Sequence, residues 1–249
     1  MGILNLTPDS FSDNGKYFNP QKALQRALEI QDQGADILDI GGQSTRPGAK
    51  LISHEEEWDR IKDILKALNG KLDIPISVDT FYPEVAKKAV ENGAEIINDV
   101  YCNSSNEMIK IAKQHSCALV FTHNTSEHNI KKFFEKKLQQ ALNQGLSREQ
   151  ICLDPGIGFN KENDFSASII NHLDRLIIPD VAMLVGISRK RVVGSACGNP
   201  PAHKRVAGTI AADTIACLKG ANIIRVHDVV EAVQAAKVTD MLLKSKNIF

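Results

Sequence analysis

Short apolar runs alternate with amphipathic stretches along the whole chain. Eight runs read as strands: Gly2 to Asn5, Ile37 to Ile40, Ile76 to Asp79, Ile96 to Asn98, Ala118 to Thr122, Ile151 to Asp154, Met183 to Ile187 and Ile223 to Val226. They are short, β-branched and apolar at successive positions, as strands buried on both faces should be. Between them, apolar residues recur at helical spacing. Ala23, Ala27 and Ile30 share one face, with Gly34 as a stop. Trp58, Ile61, Leu65 and Leu68 share another, behind a Ser53/Glu56 capping box. Val85, Ala89 and Val90 precede Gly93. The pieces Gln33-Gly34-Ala35-Asp36, Asn92-Gly93-Ala94-Glu95 and Lys219-Gly220-Ala221-Asn222 are alike. Each is a helix end, a glycine cap and a lead into the next strand. This repeated unit predicts an α/β fold, one (β/α)8 TIM barrel over residues 1–249, for which about 250 residues is usual.

Composition narrows the function. Hydrophobic residues make up 43% of the 249, enough for one large core. Lys+Arg 30 balance Asp+Glu 30, so nothing draws the chain in bulk to nucleic acid or an anionic membrane. The charged stretch Lys131 to Lys137 reads as a solvated helix face. No apolar run approaches the roughly 20 residues that span a bilayer. The five cysteines, Cys102, Cys117, Cys152, Cys197 and Cys217, are odd in number and lack CxxC spacing. A reducing, cytoplasmic compartment accounts for them, and a zinc site does not.

Chemistry in such a barrel gathers where the strands' C-terminal ends meet. Polar residues recur there: Asn5, Asp79, Asn98, Asp154, Lys190 after the seventh strand, and Arg225 with His227 at the eighth. One Asp at a strand end is an ordinary cap; several together predict a shared pocket. Arg225 and His227 occupy alternate positions and can point into one mouth, where they suit an anion. Ser188-Arg189-Lys190 precedes a short helix interrupted near Gly194. That N-terminus could meet a carboxylate, or Ser188 could simply cap it, with Arg189 as a surface charge. Thr7 to Asp13 and Gly42 to Ala49 are punctuated by Gly and Pro and read as mobile loops.

The run Asn5-Leu6-Thr7-Pro8-Asp9-Ser10-Phe11-Ser12-Asp13 resembles a signature of the dihydropteroate synthases, the folate-pathway enzymes that sulfonamides inhibit. Gly41-Gly42-Gln43-Ser44-Thr45-Arg46-Pro47-Gly48-Ala49 resembles the second. Ser77-Val78-Asp79-Thr80, Ile97-Asn98-Asp99, Asp154-Pro155-Gly156-Ile157-Gly158-Phe159, Gly186-Ile187-Ser188-Arg189-Lys190 and Arg225-Val226-His227-Asp228-Val229 resemble the rest, in the family's order. The resemblance implies a transferase that joins (7,8-dihydropterin-6-yl)methyl diphosphate to 4-aminobenzoate. It implies that Asp79, Asn98 and Asp154 bind the pterin edge, that Lys190 meets its carbonyl and that Arg225 stacks on the ring. Asn5, Arg46, Arg225 and His227 would bind the diphosphate, with Asn5 on a bridging magnesium ion. Phe11, Thr45, Arg46, Pro47, Phe159 and Ser188 would frame 4-aminobenzoate, and Asp13 would stabilise positive charge on the reacting carbon. A homodimer is also implied.

Two other readings fit parts of the pattern: a pterin-dependent methyltransferase passing a folate methyl group to a corrinoid, and a non-catalytic pterin-binding protein. Departures from the family are local. Gln43 stands where Glu is common, and Thr122-His123-Asn124 replaces Met-His-Met. That puts the pterin pocket's floor in question and leaves His123 without a role. Segment 125–147 is divergent and looks shortened. The chain also starts directly on its first strand, where relatives carry residues that cover the barrel floor. This suggests a chain excised from a longer one, such as the family's fusions with a folate-pathway kinase, or another segment over the floor.

Overall fold

The structure, a computed structural model, describes residues 1–7, 20–44 and 49–245. Phe11, Asp13, Thr45, Arg46 and Pro47 lie outside the described residues. Eight parallel strands are hydrogen-bonded in sequence order: β1 Gly2–Asn5, β2 Leu38–Gly41, β3 Ile76–Thr80, β4 Ile96–Asp99, β5 Ala118–Thr122, β6 Ile151–Asp154, β7 Ala182–Val185 and β8 Ile223–Ile224. The last closes on the first. Gly2 bridges Val226, and Ile3 N donates to Val226 O at 3.0 Å. The barrel is therefore complete, as the alternation predicts.

Helices follow the strands: α1 Pro20–Asp32, α2 His54–Leu68, α3 Pro83–Glu91, α4 Ser105–His115, α5 Ile130–Asn143, α6 Asn163–Asn171, α7 Arg191–Ala196, α8 Val206–Leu218 and α9 Val229–Leu243. Ala23, Ala27 and Ile30 are fully buried, as their spacing predicts. Gly34, Gly93 and Gly220 all take φ near +100°, which a side chain resists. Only half of the capping box forms. Ser53 accepts from Glu56 N at 3.3 Å, but the Glu56 carboxylate turns to Arg60 at 2.7 Å. On α2, Glu57 is buried and Trp58 only partly so, a rotation of the expected face.

β2, β3, β4 and the start of β7 differ from the sequence reading by one residue, and the ends of β7 and β8 by two. β7 stops at Val185, before Gly186 and Ile187, and β8 has two residues. The cause is barrel closure: Arg225 N still bonds to Val185 O, while Val226 N has switched to Met1 O. The chain is passing from one neighbour to the other there.

Alternation sets what each strand shows to the barrel's inside. Met1, Val120, Cys152 and Leu184 form a small apolar cluster with Ile96 and Ile223 against it. Leu119, Phe121, Leu153 and Val185 instead pack outward under the helices. Two residues beyond Ile96, Val120 and Cys152 come Asn98, Thr122 and Asp154, so the apolar plug ends where the polar layer begins.

Candidate active site

Arg225 organises the centre of that polar layer. From the end of β8 its Nε donates to Asp39 Oδ2 and its Nη2 to Asp79 Oδ2, each at 2.6 Å. Asp39 is fully enclosed, and its Oδ2 also faces Asn98 Nδ2 at 3.5 Å. One guanidinium thus ties β8 to β2 and β3, with β4 alongside. Burial raises the Asp79 carboxyl above the usual range; Arg225 opposes this and the Asp39 charge adds to it. Burial pulls Arg225 down, but Asp39 and Asp79 outweigh it and hold the guanidinium charged. Asn98 Oδ1 is buried with no partner among the described residues. A buried polar atom without a partner is uncommon and suits a ligand.

Asp154 and Lys190 form the adjoining wall. Asp154 Oδ1 accepts from Gly156 N at 2.7 Å, and burial raises its carboxyl despite Lys190, Lys161 and Arg225. Lys190 Nζ donates to Ile157 O at 2.6 Å and lies 4.7 Å from the centre of the Phe159 ring. Lys190 as a whole is partly buried. Burial lowers its ammonium to about 8, with Asp154 pulling the other way.

Behind this wall the β5 and β6 loops are sewn together. Lys161 Nζ donates to His123 O at 2.6 Å and to Phe159 O at 3.1 Å. A Cβ on Gly156, at φ +64°, would stand 2.2 Å from His123 O, so only glycine allows this approach. His123 is enclosed, 4.9 Å from Phe133, and burial lowers its imidazole to about 4. It is a packed, neutral side chain. Asn124 donates to Val100 O at 2.8 Å and accepts from Asn160 Nδ2 at 2.9 Å. The divergent Thr122-His123-Asn124 segment therefore ties the loops after β4, β5 and β6 together.

The loops after β7 and β8 are joined at two points. His227 N donates to Ser188 Oγ at 3.1 Å, and His227 Nδ1 lies 3.0 Å from the same oxygen. Arg189 grips both oxygens of Asp228, with Nε at 2.9 Å. So Ser188 is not the cap of α7, because Lys190 holds that position. Arg189 is an anchor, not a loose surface charge. Asn5 ends β1 half-buried, and the following Leu6 N bonds to Gly41 O. At the root of the second loop, Gln43 Oε1 accepts from Ile52 N at 2.9 Å, while its Nε2 donates to Ser44 O and Lys50 O.

A family model described as "Pterin binding enzyme" matches residues 1–227. A dihydropteroate synthase of Clostridium beijerinckii is 40% identical over 253 residues, covering 98% of this chain and 94% of the relative. The chain belongs to the dihydropteroate synthase family of pterin-binding enzymes. It is a transferase of folate synthesis, the reading the corrinoid methyltransferase and the non-catalytic binding protein competed with. Solved structures agree. A Clostridium difficile dihydropteroate synthase in the presence of pteroic acid superposes with a TM-score of 0.93 at 38% identity, over 98% of this chain and 96% of the other. A Xanthomonas albilineans dihydropteroate synthase with 4-aminobenzoic acid gives 0.93 at 36%, over 99% and 93%.

Against the sequence expectations for a dihydropteroate synthase, Asp79, Asn98, Asp154, Lys190 and Arg225 come together at the barrel mouth. Phe159 joins them beneath Lys190, and Ser188 joins His227. Sequence reasoning missed Asp39 and Lys161. Asp39 had a signal: a carboxylate on the inward alternation of the apolar run Ile37 to Ile40 must be paired, and only a cation from another strand could do it. Lys161, in the loop after β6, carried none.

Proposed function

We propose that this mouth makes 7,8-dihydropteroate by a dissociative route. The C–O bond to diphosphate breaks first, and its electron pair leaves with the diphosphate. The cation is delocalised into the dihydropterin ring. The lone pair of 4-aminobenzoate then forms the C–N bond, and its extra proton passes to diphosphate or solvent. An arylamine is uncharged at neutral pH, so no residue has to create the nucleophile. The chain's work is to hold, orient and neutralise.

The observation that carries this is a two-sided mouth. On one side Asp79, Asn98 and Asp154 offer acceptors and an amide to a pterin edge, with Lys190 for its carbonyl oxygen. On the other, the diphosphate is proposed to lie by Arg225 and His227, with Arg46 proposed beside them and Asp13 proposed near the cation. Arg225 serves both sides. Phe159 supplies an apolar wall for 4-aminobenzoate, with Phe11, Thr45, Arg46 and Pro47 completing it. Sulfonamides would compete there.

Magnesium is proposed at Asn5. The donor set fits an ion held chiefly by substrate oxygens and water. Asn5 gives one neutral side-chain oxygen at the mouth, and among the described residues no three His, Cys, Asp or Glu side chains form a cage. When bound, the ion supplies positive charge to the diphosphate oxygens.

A homodimer is supported by an exposed apolar face on α8 and α9. Leu218, Val238, Met241, Leu242 and Leu243 are each more than half exposed there. The cysteines are unpaired, and among the described residues no helix is long and apolar enough to cross a membrane. The unpaired thiols support a reducing, cytoplasmic setting.

Diphosphate release tests the reading. With 4-aminobenzoate present, dihydropteroate and diphosphate should appear in equal amounts. Without it, an 18O label in the bridging position of the pterin ester should scramble into the diphosphate. No scrambling would sink the dissociative order, and no diphosphate release at all would sink the assignment.

A further inference from the structure

Ser188 is buried, and its hydroxyl has two neighbours, both from one residue. His227 N donates to Ser188 Oγ at 3.1 Å, and His227 Nδ1 lies 3.0 Å away. A serine hydroxyl has a single proton to give. The backbone N–H can only donate, so it takes a lone pair of Oγ and leaves the hydroxyl proton free to point elsewhere. The ring nitrogen Nδ1 is the partner within reach. A hydroxyl proton aimed anywhere else would be left unpaired in a buried site, at a cost of about 1–3 kcal/mol. Whenever the ring is uncharged, Nδ1 is therefore the acceptor. The ring's own proton must then be on Nε2, at its far side.

The frame around this contact is stiff. Arg189, next to Ser188, sits at φ +59° and is held by Asp228, next to His227. Its backbone N–H donates to Thr209 Oγ1 at 3.0 Å, and its carbonyl accepts from Arg205 Nη1 at 3.1 Å. Ser188 and Arg189 thus meet His227 and Asp228 as two adjacent pairs across the β7 and β8 loops. The ion pair fixes the spacing of the loops, and the hydroxyl fixes the ring.

We propose that Ser188 is a positioning residue: its hydroxyl holds the uncharged form of the His227 ring as the Nε2–H tautomer, so that the ring presents a donor towards the departing diphosphate. The destination of that donor rests on the diphosphate reading of Arg225 and His227. The tautomer does not. This role replaces the sequence expectation that Ser188 meets the carboxylate of 4-aminobenzoate.

The test has two independent arms. In the first, long-range proton–nitrogen NMR on the full chain with 15N-labelled histidine, assigned through His227→Gln, reports the His227 tautomer above the ring's protonation range. The Nε2–H form should dominate in the natural chain and in Ser188→Thr, which keeps a hydroxyl. It should give way to a mixture in Ser188→Ala. An Nδ1–H ring in the natural chain overturns the inference. In the second arm, product inhibition by magnesium diphosphate is measured for the same variants. Ser188→Ala should weaken it about threefold to tenfold, the worth of one hydrogen bond, and Ser188→Thr should restore most of the loss. The KM for 4-aminobenzoate should move less. A raised 4-aminobenzoate KM with unchanged diphosphate inhibition would return Ser188 to the carboxylate and overturn the positioning role. If His227→Gln leaves diphosphate inhibition unchanged, the diphosphate reading fails, and the NMR arm still decides the tautomer.

Discussion

Raising the pH above 8 should lower activity and, at the same time, relieve a stability cost carried by one lysine, while buried thiols such as Cys117 and Cys152, pushed up to about 11 and about 12, act in the opposite direction. Burial depresses the Lys190 ammonium from 10.5 to about 8, against the pull of Asp154 and Asp79 and with a push from Arg225. The folded pKa lies below the unfolded one. Enclosing the charge therefore costs stability at every pH below about 8, and this cost disappears as pH climbs from about 8 towards 10.5. The shift corresponds to on the order of 3 kcal/mol. Lys161, also lowered to about 8 by burial, adds a relief of the same sign. Activity goes the other way. If the charged Lys190 meets the pterin carbonyl, kcat/KM for the pterin diphosphate should fall about tenfold per pH unit above 8. The assay is kcat/KM from pH 6.5 to 10, alongside urea midpoints over the same range. Lys190→Gln, with the fold checked by circular dichroism, should be weak throughout. It should lack the basic limb, and the natural chain's urea midpoint should gain on the variant's between pH 8 and 10, the difference being the Lys190 relief. A natural chain whose kcat/KM is flat to pH 9.5, or a Lys190→Gln chain with an unchanged basic limb, would refute the reasoning.

Asp39→Ala should cost about 3–5 kcal/mol in urea denaturation, the penalty for breaking a buried pair, because Arg225 keeps only Asp79; Asp39→Asn should cost less and still weaken pterin binding, and unchanged pterin affinity in both would remove Asp39 from the support of Arg225. Asp79→Asn and Asp154→Asn should each weaken pterin binding by calorimetry by about 1.5–3 kcal/mol, the worth of a hydrogen bond to a charged group; full affinity in either takes that residue out of the pocket. Gln43→Glu would exchange two donated bonds at the root of the second loop for a carboxylate facing two carbonyls. It should raise the KM for 4-aminobenzoate and spare pterin binding, and an unchanged KM would mean that the loop ends are held by other contacts.

Most of the fold was legible because a barrel strand carries its own signature. Ala118–Thr122 and Ile151–Asp154 coincide with their apolar runs to the residue. The errors fall where neighbours override local pattern. β8 is two residues long because Val226 leaves β7 for Met1, and no local pattern marks that switch. Glu57 is buried on a helix face read as Trp58, because its carboxylate meets Thr80 Oγ1 at 3.1 Å. Such a partner on another element outweighs the ordinary exposure of glutamate.

The site divides along a similar line. Residues that face a ligand sit at strand ends, and a strand end can be read from one dimension. Residues that face those residues cannot. Arg225 and Asp39 are 186 positions apart and meet only because the barrel closes. Lys161 reaches back 38 positions to a carbonyl of the β5 loop, and Ser188 reaches 39 positions to His227. All three are supports for groups that the sequence did reveal. They follow a common physical need: a buried charge or ring must have its remaining hydrogen-bonding atoms satisfied before it can present the others. That need could have been posed from the sequence for each exposed chemistry. Arg225, buried at a strand end, needs carboxylates on facing strands, and Asp39 and Asp79 are the inward acids of β2 and β3 within its reach. His227 needs an acceptor or donor for Nδ1, and the hydroxyl nearest the end of the adjoining strand is Ser188. The partner search is short once the strand order is known: His227 finds its hydroxyl at the end of the adjoining strand, and Arg225 finds its carboxylates across the mouth, among the few inward positions of one layer.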